Sequence, residues 1–454
     1  MRKITFIGAG NVELTRRILS DLFTVPDLHR QLHIVLDDID PERLGIAAAI
    51  ARSVDREAGA GALIEIAHDR RHALDGADFV ICQLETGGYE ASLRDFEIPH
   101  RYGLRQSIGD TIGIGGIFRG LRTIPVLVEL AQEIAELAPG AWCLSYTDPM
   151  AMTTWAMHAA APRLRLAGLC HGVRNTHAML ADVLNRDVRD IDFLTAGVNH
   201  QSFVLRFEAH GRSLYPELDK WLATGPEAAR NIRVELYRLL GYFPTESSEH
   251  AAEYVPWFMR HDDQVARFAI PHEEFLRRSA RKLHAYEEVR RALAADRPLL
   301  IERQHLEPAS EIVAAVLTGR PRTLNVSVPN AGLLPGLPPD ACVEVPAVAD
   351  DSGLTPVPIA DYPVQLAALN RTFLNVVELT VHAALEEKRS HVYQAAALDP
   401  NTGATLALPA IHALCDDLIE AHGDLIPAGI RQRDPVPGAR RLSVVRPADS
   451  EGEA

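Results

Sequence analysis

The sequence predicts an α/β fold, with a Rossmann-type parallel sheet in the N-terminal part and a larger C-terminal α+β portion. Three observations support this prediction. β-branched runs alternate with segments of helical periodicity in the first half. The first run leads directly into a glycine-rich turn and then a helix, the order found in dinucleotide-binding units. The chain of 454 residues is about three times as long as an ordinary domain, so at least two structural units, or one domain with a large extension, are expected.

Strands and helices alternate regularly in the first half. The predicted strands are residues 3–7, 32–36, 79–84, 142–146, 165–169 and 192–198. The predicted helices are residues 11–23, 41–58, 121–137 and 178–184. Because parallel neighbours need crossover connections, this alternation predicts a parallel sheet with helices packed on its faces.

The second half has a different pattern. Residues 204–214, interrupted by His210 and Gly211, predict an antiparallel hairpin, and long helices are predicted at 226–240, 272–295 and 363–388. Alternating valines in the Pro- and Gly-rich stretch 325–358 predict short strands in a folded second unit. We therefore predict a Rossmann-like domain over residues 1–200, an α+β substrate and oligomerisation domain over 201–430, and a disordered tail over 431–454.

Charge and composition exclude several classes of protein. The chain has 46 Lys and Arg against 61 Asp and Glu, a net charge of −15, which argues against nucleic acid as a partner. No apolar run approaches the roughly 18 residues of a membrane span, and no signal peptide precedes the first strand, so we expect a cytoplasmic protein without a membrane partner. The five cysteines include no CxxC pair, which makes a disulfide framework improbable.

The glycine turn after the first strand predicts a dinucleotide site. Gly8 and Gly10 allow a pyrophosphate to approach the backbone at a helix N-terminus, although Glu13 replaces the third glycine of the full fingerprint. Asp38, after the second strand, would accept a ribose hydroxyl and repel a 2′-phosphate, which favours NAD over NADP. A glycine-rich turn without a ligand is the alternative. The predicted cofactor-binding residues are Gly8, Gly10, Asn11, Asp38, Thr86 and Gly87.

Further polar residues do not suit a lactate- or malate-type dehydrogenase. Residues 94–95 and the glycine-rich segment 109–116 are predicted in a loop beside the nicotinamide. Cys170 and His200 each follow a predicted strand, so in a parallel sheet both would lie at the carboxyl edge, where ligands bind. A thiolate and an imidazole there form half of a divalent-metal site with open positions. A small buried Cys170 and a hydrogen-bonded His200 at a strand end are the alternative.

The chain contains, in this order, GAGN, DIDPERL, DFEIPHRYGLRQSIGDTIGIGGIFRGLRTIP, SYTDPMA, GLCHG, GVNHQ, GYFPTESSEHAAEYVPWF and VEVP. Together these segments resemble glycoside hydrolase family 4 across roughly residues 1–425. The CHG and TESSEH segments resemble the branch that acts on unphosphorylated α-galactosides, α-glucosides and α-hexuronides more than the 6-phosphoglycosidase branch.

The resemblance implies an enzyme that binds NAD⁺ and a divalent metal, usually Mn²⁺. Similar enzymes oxidise C3 of the sugar, remove the C2 proton, eliminate the C1 substituent, add water and return the hydride. The ketone at C3 makes the C2 proton acidic because the metal stabilises the enolate. The cofactor is regenerated in each turnover, so no net redox change is expected.

The resemblance also assigns residues to roles. It implies the metal ligands Cys170 and His200 and the catalytic residues Asp110, His171 and Tyr242. Asp110 would protonate the leaving group or support the metal site. His171 stands where some relatives have an acid, and could share that role or orient the substrate. Tyr242 is slightly preferred as the C2 base over His250 and Tyr254, and ordinary packing is the alternative for each.

Four residues are implied to bind substrate: Arg94, Asp148, Asn199 and His250. Relatives commonly have Asn where this chain has Ser145 and Asp148. Asp148 would place a negative charge beside the sugar, which argues against a uronate unless a cation is close.

The leading hypothesis is a retaining glycosidase for a small carbohydrate, an unphosphorylated α-linked hexoside and most of all an α-galactoside. An α-glucosidase or α-hexuronidase of the same family is the nearest alternative. A plain NAD-dependent sugar or hydroxyacid dehydrogenase and a non-catalytic NAD-binding sensor are the others. Because relatives are oligomers, a homodimer or homotetramer is expected.

Overall fold

A computed structural model describes residues 1–225, 231–295, 297 and 307–432. The start of the helix predicted at 226–240 lies outside this part of the chain, as does the predicted tail apart from residues 431–432.

Twelve strands in the described part of the chain form one sheet. They are β1 Arg2–Ile7, β2 Leu32–Asp37, β3 Leu63–Ile66, β4 Phe79–Cys82, β5 Trp142–Ser145, β6 Arg165–Gly168, β7 Asp192–Val198, β8 Gln201–Ala209, β9 Arg212–Ser213, β10 Arg322–Pro329, β11 Cys342–Asp350 and β12 Gly353–Pro356. Their order is β3-β2-β1-β4-β5-β6-β10-β11-β7-β8-β9, with β12 paired to β11. Strands β1 to β6 are parallel and have the Rossmann order, whereas the remaining pairings are antiparallel.

The six strands predicted in the first half are present, and the predicted hairpin is β8 and β9. The sequence does not predict β3, which is short and partly exposed. The strands predicted within 325–358 are present as β10 and β11, and they extend the same sheet because β10 pairs with β6 and β11 with β7. The second portion therefore shares its sheet with the first, and the domain limits at residues 200 and 430 stay predictions.

Helices pack against both faces of the sheet. They are α1 Val12–Phe23, α2 Pro41–Ala58, α3 Arg70–Leu74, α4 Gly88–Arg101, α5 Gly113–Leu137, α6 Met150–Ala160, α7 Gly172–Val183, α8 Tyr215–Thr224, α9 Ile232–Leu240, α10 Ser248–Glu253, α11 Asp262–Phe268, α12 Glu274–Ala294, α13 Pro308–Thr318, α14 Val364–Leu385, α15 Arg389–Leu398, α16 Pro400–Thr405, α17 Leu408–His422 and α18 Ala428–Arg431. Helix α14, in the C-terminal portion of the chain, packs on α5 and α6 of the Rossmann portion. None of the helices in the described residues is long and apolar enough to cross a membrane.

Local sequence signals set the limits of α2. Asp40 caps its N-terminus by accepting hydrogen bonds from the amides of Glu42 and Arg43 at 2.9 and 3.1 Å. Pro41 occupies the first turn, where its missing amide costs nothing. Gly59 ends the helix in the left-handed region with φ 63°.

The glycine-rich segment predicted as a loop is a helix from Gly113 onwards. A Cβ at Gly115 would lie 2.5 Å from the carbonyl oxygen of Gly109. These glycines therefore let the preceding turn pack directly on the first turn of α5, which is why the segment carries them. The charged pair at 94–95, predicted in the same loop, lies within α4.

Candidate active site

Three turns with predicted site residues lie at the carboxyl edge of the parallel strands. The glycine turn follows β1, Thr86 and Gly87 follow β4, and Asp148 follows β5. Since β1, β4 and β5 are neighbours in the sheet, these turns are adjacent at the edge where α/β proteins bind ligands.

The glycine turn has the close packing that a dinucleotide site requires. Gly8 has φ +81°, and a Cβ at Gly10 would lie 2.6 Å from Oδ2 of Asp38. The Gly10 amide donates to the same Asp38 oxygen at 2.7 Å. The side chain of Asn11 makes no capping hydrogen bond at the start of α1, so the first amides of that helix are left for an anion. The structure thus brings together four of the predicted cofactor-binding residues in an arrangement that fits a pyrophosphate and a ribose.

The other predicted cofactor turn is supported by a buried arginine. Gly87, with φ +83°, begins α4, and the carbonyl of Thr86 accepts a hydrogen bond from Nε of Arg122 at 3.0 Å. Arg122 is ion-paired with Asp95 at 2.7 Å, and His422 contacts the other Asp95 oxygen at 2.8 Å. Asp95 therefore anchors this turn from within α4.

Arg94 does not join the polar cluster described below. Its guanidinium donates to the carbonyl of Ala421 at 3.1 Å, near the end of α17. The predicted role in substrate binding is thus not accompanied by a contact with the other predicted substrate residues in the described part of the chain.

His200 is shared by two groups of possible ligand side chains. The ligand atoms of Cys170, His200 and Glu246 lie within 4.8 Å of one another, and so do those of Asp110, His200 and His250. The predicted pair of Cys170 and His200 is therefore brought together, and the described residues add three carboxylate or imidazole groups around it.

Cys170 and His200 are not brought together by parallel strands, as the sequence predicts. β7 is not a parallel neighbour of β6, because β10 and β11 lie between them. The pairing of Gly168 with Ser327 and of Glu344 with Gly197 nevertheless aligns the ends of β6 and β7 in one row across the sheet. Cys170 and His200 follow shortly after this row.

The hydroxyl of Thr111 determines which ring nitrogen of His200 carries the lone pair that faces this cluster. Thr111 Oγ1 lies 2.7 Å from Oδ1 of Asp110 and 2.8 Å from Nδ1 of His200. Its single proton is donated to the carboxylate, so its oxygen accepts a hydrogen bond from Nδ1–H of His200. The lone pair of the neutral imidazole is then on Nε2, which lies 3.9 Å from Oε2 of Glu246.

The electrostatics of the cluster favour a cation. Burial lowers the pKa of His200, but the sulfur of Cys170 and the carboxylates of Glu246 and Asp148 outweigh it and raise that pKa well above its ordinary value. Burial raises the pKa of the Cys170 thiol, and His200 opposes this. A positive charge between these groups is thus stabilised, whether it is a proton or a metal ion.

The fit of Glu246 depends on a glycine. A Cβ at Gly172 would lie 2.3 Å from Oε2 of Glu246 and 3.7 Å from Sγ of Cys170. The missing side chain at the start of α7 is therefore what admits the carboxylate. Thiolate, imidazole and carboxylate around one point, with no further protein group required, fit a divalent cation that keeps positions for substrate oxygens. Sequence reasoning does not identify Glu246, although it lies in the TESSEH segment.

The second group joins a carboxylate to a neutral imidazole. Nε2 of His250 lies 3.7 Å from Oδ1 of Asp110, and the rings of His250 and His200 are 4.8 Å apart. Burial lowers the pKa of His250, against the effect of Asp110. Burial acts to raise the pKa of Asp110, but His250, His200 and Arg119 outweigh it and lower that pKa. Asp110 is thus ionised, and His250 is available to accept a proton.

Tyr242 is the base that the sequence favours. It neighbours Tyr215, which packs against Tyr237 with ring centroids 5.3 Å apart. No hydrogen bond or ring contact among the described residues joins Tyr242 to the cluster around His200. Tyr254 is closer to that cluster, since its ring centroid lies 6.3 Å from that of His250.

His171 and Asn199 are held by buried carboxylates. Nε2 of His171 lies 2.6 Å from Oε2 of Glu307, and the amide of Asn199 donates to Oε1 of Glu344 at 3.3 Å. The side-chain oxygen Oδ1 of Asn199 is buried and has no hydrogen-bond partner among the described residues. Both carboxylates orient predicted site residues. Glu344 lies in the VEVP segment, whereas Glu307 lies outside the quoted segments.

A cation lies close to Asp148, and the prediction about a charged sugar depends on whether one does. Its backbone carbonyl accepts from Nε of Arg119 at 3.4 Å. Burial raises the pKa of Asp148, His200 and Arg119 act to lower it, and Asp110 adds to the increase. Its Oδ1 atom is buried without a hydrogen-bond partner among the described residues. A carboxyl group disposed to be neutral, with a guanidinium beside it, does not exclude a negatively charged sugar.

Comparison with known proteins shows which family the chain is similar to. The model for family 4 glycosyl hydrolases matches residues 3–186, and the model for their C-terminal domain matches residues 195–402. An α-galactosidase of Bacillus subtilis (strain 168) is 40% identical over 432 residues, covering 94% of this chain and 99% of the relative. An α-galactosidase of Rhizobium meliloti (strain 1021) is 33% identical, covering 94% and 89%.

A solved structure has the same fold along nearly the whole chain. It is a 6-phospho-α-glucosidase from gut microorganisms in complex with NAD and Mn²⁺, with a TM-score of 0.79 and 20% identity, covering 94% of this chain and 99% of that one. The two family models together match most of the sequence, and the α-galactosidase of Bacillus subtilis matches 94% of it at 40% identity. The chain therefore belongs to family 4 of the glycosyl hydrolases.

Proposed function

We propose that this glycosidase is a retaining α-galactosidase that uses NAD⁺ and Mn²⁺. The observation that carries the proposal is the group of Cys170, His200 and Glu246, three different ligand types that converge on one point. The names of the two relatives at 40% and 33% identity support galactose as the sugar.

The glycine turn would hold the dinucleotide. The first amides of α1 would bind the pyrophosphate, and Asp38 would accept a ribose hydroxyl while keeping its contact with Gly10. Gly87 permits a similarly close approach at the next strand. When bound, NAD⁺ would take up the sugar C3 hydride and return it, and the cation would supply Lewis-acid stabilisation of the oxidised sugar.

The residues around His200 would bind the sugar and move its protons. Cys170, His200 and Glu246 would hold the cation and leave positions for two sugar hydroxyl groups. Asp110 would deliver a proton to the leaving-group oxygen, having received it from solvent or from His250.

We favour His250 over Tyr242 as the group that removes the C2 proton. His250 is buried beside Asp110 and His200, whereas Tyr242 neighbours Tyr215. Ser247 Oγ lies 3.0 Å from Nδ1 of His250 and would orient the imidazole. A base must come within hydrogen-bond reach of its proton, and geometry therefore decides between the two before acidity does.

The sequence argues against a negatively charged sugar only if no cation lies beside Asp148. The Arg119 guanidinium beside Asp148 would tolerate a uronate, so α-galacturonides belong in the substrate panel with α-galactosides and α-glucosides. The expected homodimer or homotetramer stays a prediction.

One NMR experiment tests the proposal. The protein, with Mn²⁺, NAD⁺ and a reductant, is incubated in D₂O with α- and β-linked nitrophenyl galactoside, glucoside and galacturonide. We expect α-galactose as the first product and solvent deuterium at C2. If all α-glycosides were inert, the glycosidase proposal would be wrong. If NADH accumulated stoichiometrically with an oxidised sugar, the chain would be a dehydrogenase.

A further inference from the structure

Glu253 occupies a site made entirely of backbone amides. Its carboxyl group is buried and accepts hydrogen bonds from the amides of Ser107, Ile108 and Gly109 at 2.5, 3.1 and 3.0 Å. Gly109 has φ +55°, a left-handed conformation that turns the chain directly after these three amides. Three successive amides of this kind form a concave anion site, and here a side chain of α10 fills it.

The turn held by Glu253 leads directly into the active-site cluster. Gly109 is followed by Asp110 and Thr111, and the Thr111 hydroxyl connects the Asp110 carboxylate with Nδ1 of His200. Each link is a hydrogen bond between buried groups. The orientation of the His200 ring thus depends on where the turn 107–109 lies.

We propose that Glu253 is a positioning residue for the metal site: by fixing the turn 107–109, it sets Thr111 against Nδ1 of His200 and so directs Nε2 towards Cys170 and Glu246. The inference rests on the proposed function, because it assigns a purpose to the orientation of a metal ligand. It adds a residue that touches neither cation nor sugar and that lies in a different element from Cys170, His200 and Glu246.

The chemistry of the group supports this role over simple core filling. An apolar residue at position 253 would leave three amides buried without partners, so some acceptor is needed there. A carboxylate can serve all three because each of its oxygens accepts more than one hydrogen bond. A glutamine has one acceptor oxygen, and its NH₂ group would face an amide, so the turn would shift while the core volume stayed the same.

The test measures Mn²⁺ affinity directly, by the EPR signal of free Mn²⁺, and uses Glu253→Gln and Thr111→Val alone and together. Outer-shell partners of metal ligands typically contribute about 10- to 100-fold in metal affinity, so each single variant should weaken Mn²⁺ binding by about that factor. Both changes interrupt the same chain of contacts. The double variant should therefore bind Mn²⁺ as tightly as whichever single variant has the lower Mn²⁺ affinity.

Asp399→Asn is the matched control. Asp399 is another buried carboxyl group, and it lies near Gly113, the first residue of α5, which follows the turn 107–109 closely along the chain. It makes no contact with the turn 107–109 among the described hydrogen bonds. The Asp399→Asn variant should therefore bind Mn²⁺ with the affinity of the wild type.

The outcomes separate the two proposals. If Glu253→Gln lowered the melting temperature and left Mn²⁺ affinity unchanged, or if the two changes were additive, the positioning role would be refuted while glycosidase activity of the wild type stood. If Glu253→Gln did not fold, unchanged Mn²⁺ affinity in Thr111→Val would refute it equally. If the wild type bound no Mn²⁺ and hydrolysed no glycoside, the proposed function itself would fail.

Discussion

Gly172→Ala tests whether Glu246 belongs to the metal site, and it does so without altering any ligand. The added methyl group would lie 2.3 Å from Oε2 of Glu246, the end of a flexible side chain. Gly172 is the first residue of α7 and does not have a positive φ. Alanine therefore suits its backbone, and the carboxylate is the group that must move.

The size of the effect follows from this distance. An ordinary contact between a methyl carbon and an oxygen needs about 3.4 Å, so the carboxylate oxygen must retreat by roughly 1 Å. A metal–carboxylate bond of about 2.1 Å does not survive such a displacement. We expect Mn²⁺ affinity to fall by about 10- to 100-fold and kcat/KM by about 100-fold.

Equilibrium titration of Mn²⁺ by EPR, together with hydrolysis of a nitrophenyl α-galactoside, measures both quantities. Gly45→Ala is the control, because a Cβ at Gly45 in α2 meets no atom within 4 Å. It should leave Mn²⁺ affinity unchanged and raise stability slightly. If Gly172→Ala bound Mn²⁺ as tightly as Gly45→Ala, Glu246 would not be a ligand, and the interpretation of the glycine would be wrong.

Three further predictions address the other parts of the site and the fold. Cys170→Ser should remove metal-dependent activity and leave NAD binding largely intact; retained activity would contradict the assignment of the ligand. Gly10→Ala should weaken NAD binding by about 100-fold, measured by calorimetry, because its Cβ would lie 2.6 Å from Oδ2 of Asp38; unaltered Mn²⁺ affinity is the internal control. Asp399→Asn should make stability less dependent on pH. Burial raises the pKa of Asp399 from 3.8 to about 6, so the stability that its protonated form contributes is present below about pH 4 and lost as pH rises through about 6. Between about pH 5 and 7.5 the wild type should lose about 1–2 kcal/mol more than the variant in urea unfolding, and equal losses would refute the shift.

The sequence predicts the parallel half of the fold well because each strand there except β3 is nearly continuous and buried. β1, β2 and β4 have β-branched runs bounded by turns, and helices of clear periodicity follow β1 and β2. It does not predict that β10 and β11 continue the same sheet. Pairings between distant segments depend on contacts such as that of Ser327 with Gly168, for which a single sequence carries no local signal.

Some residues of the candidate site can likewise be predicted from the sequence, and others cannot. Residues in a motif that follows a strand, such as Cys170, can be identified because strand and turn are local features. Glu246 and Glu253 cannot, since what distinguishes them from other acidic residues is the absence of a side chain at Gly172 and a turn of three amides at 107–109. Both partners are remote in sequence.

The site needs the two halves of the chain together, and the sheet explains how they meet. Asp110 and Cys170 belong to the segment matched by the first family model, and His200, Glu246 and His250 to the segment matched by the second. A Rossmann sheet alone could bind a dinucleotide and oxidise an alcohol. The β10–β11 hairpin inserts between β6 and β7, which allows the turn after β7 to bring an imidazole to the thiol after β6. The proposed chemistry, with a cation and proton-transfer groups beside the nicotinamide, would therefore follow from extending the sheet, and it would explain how a Rossmann-type half is combined with a hydrolytic reaction.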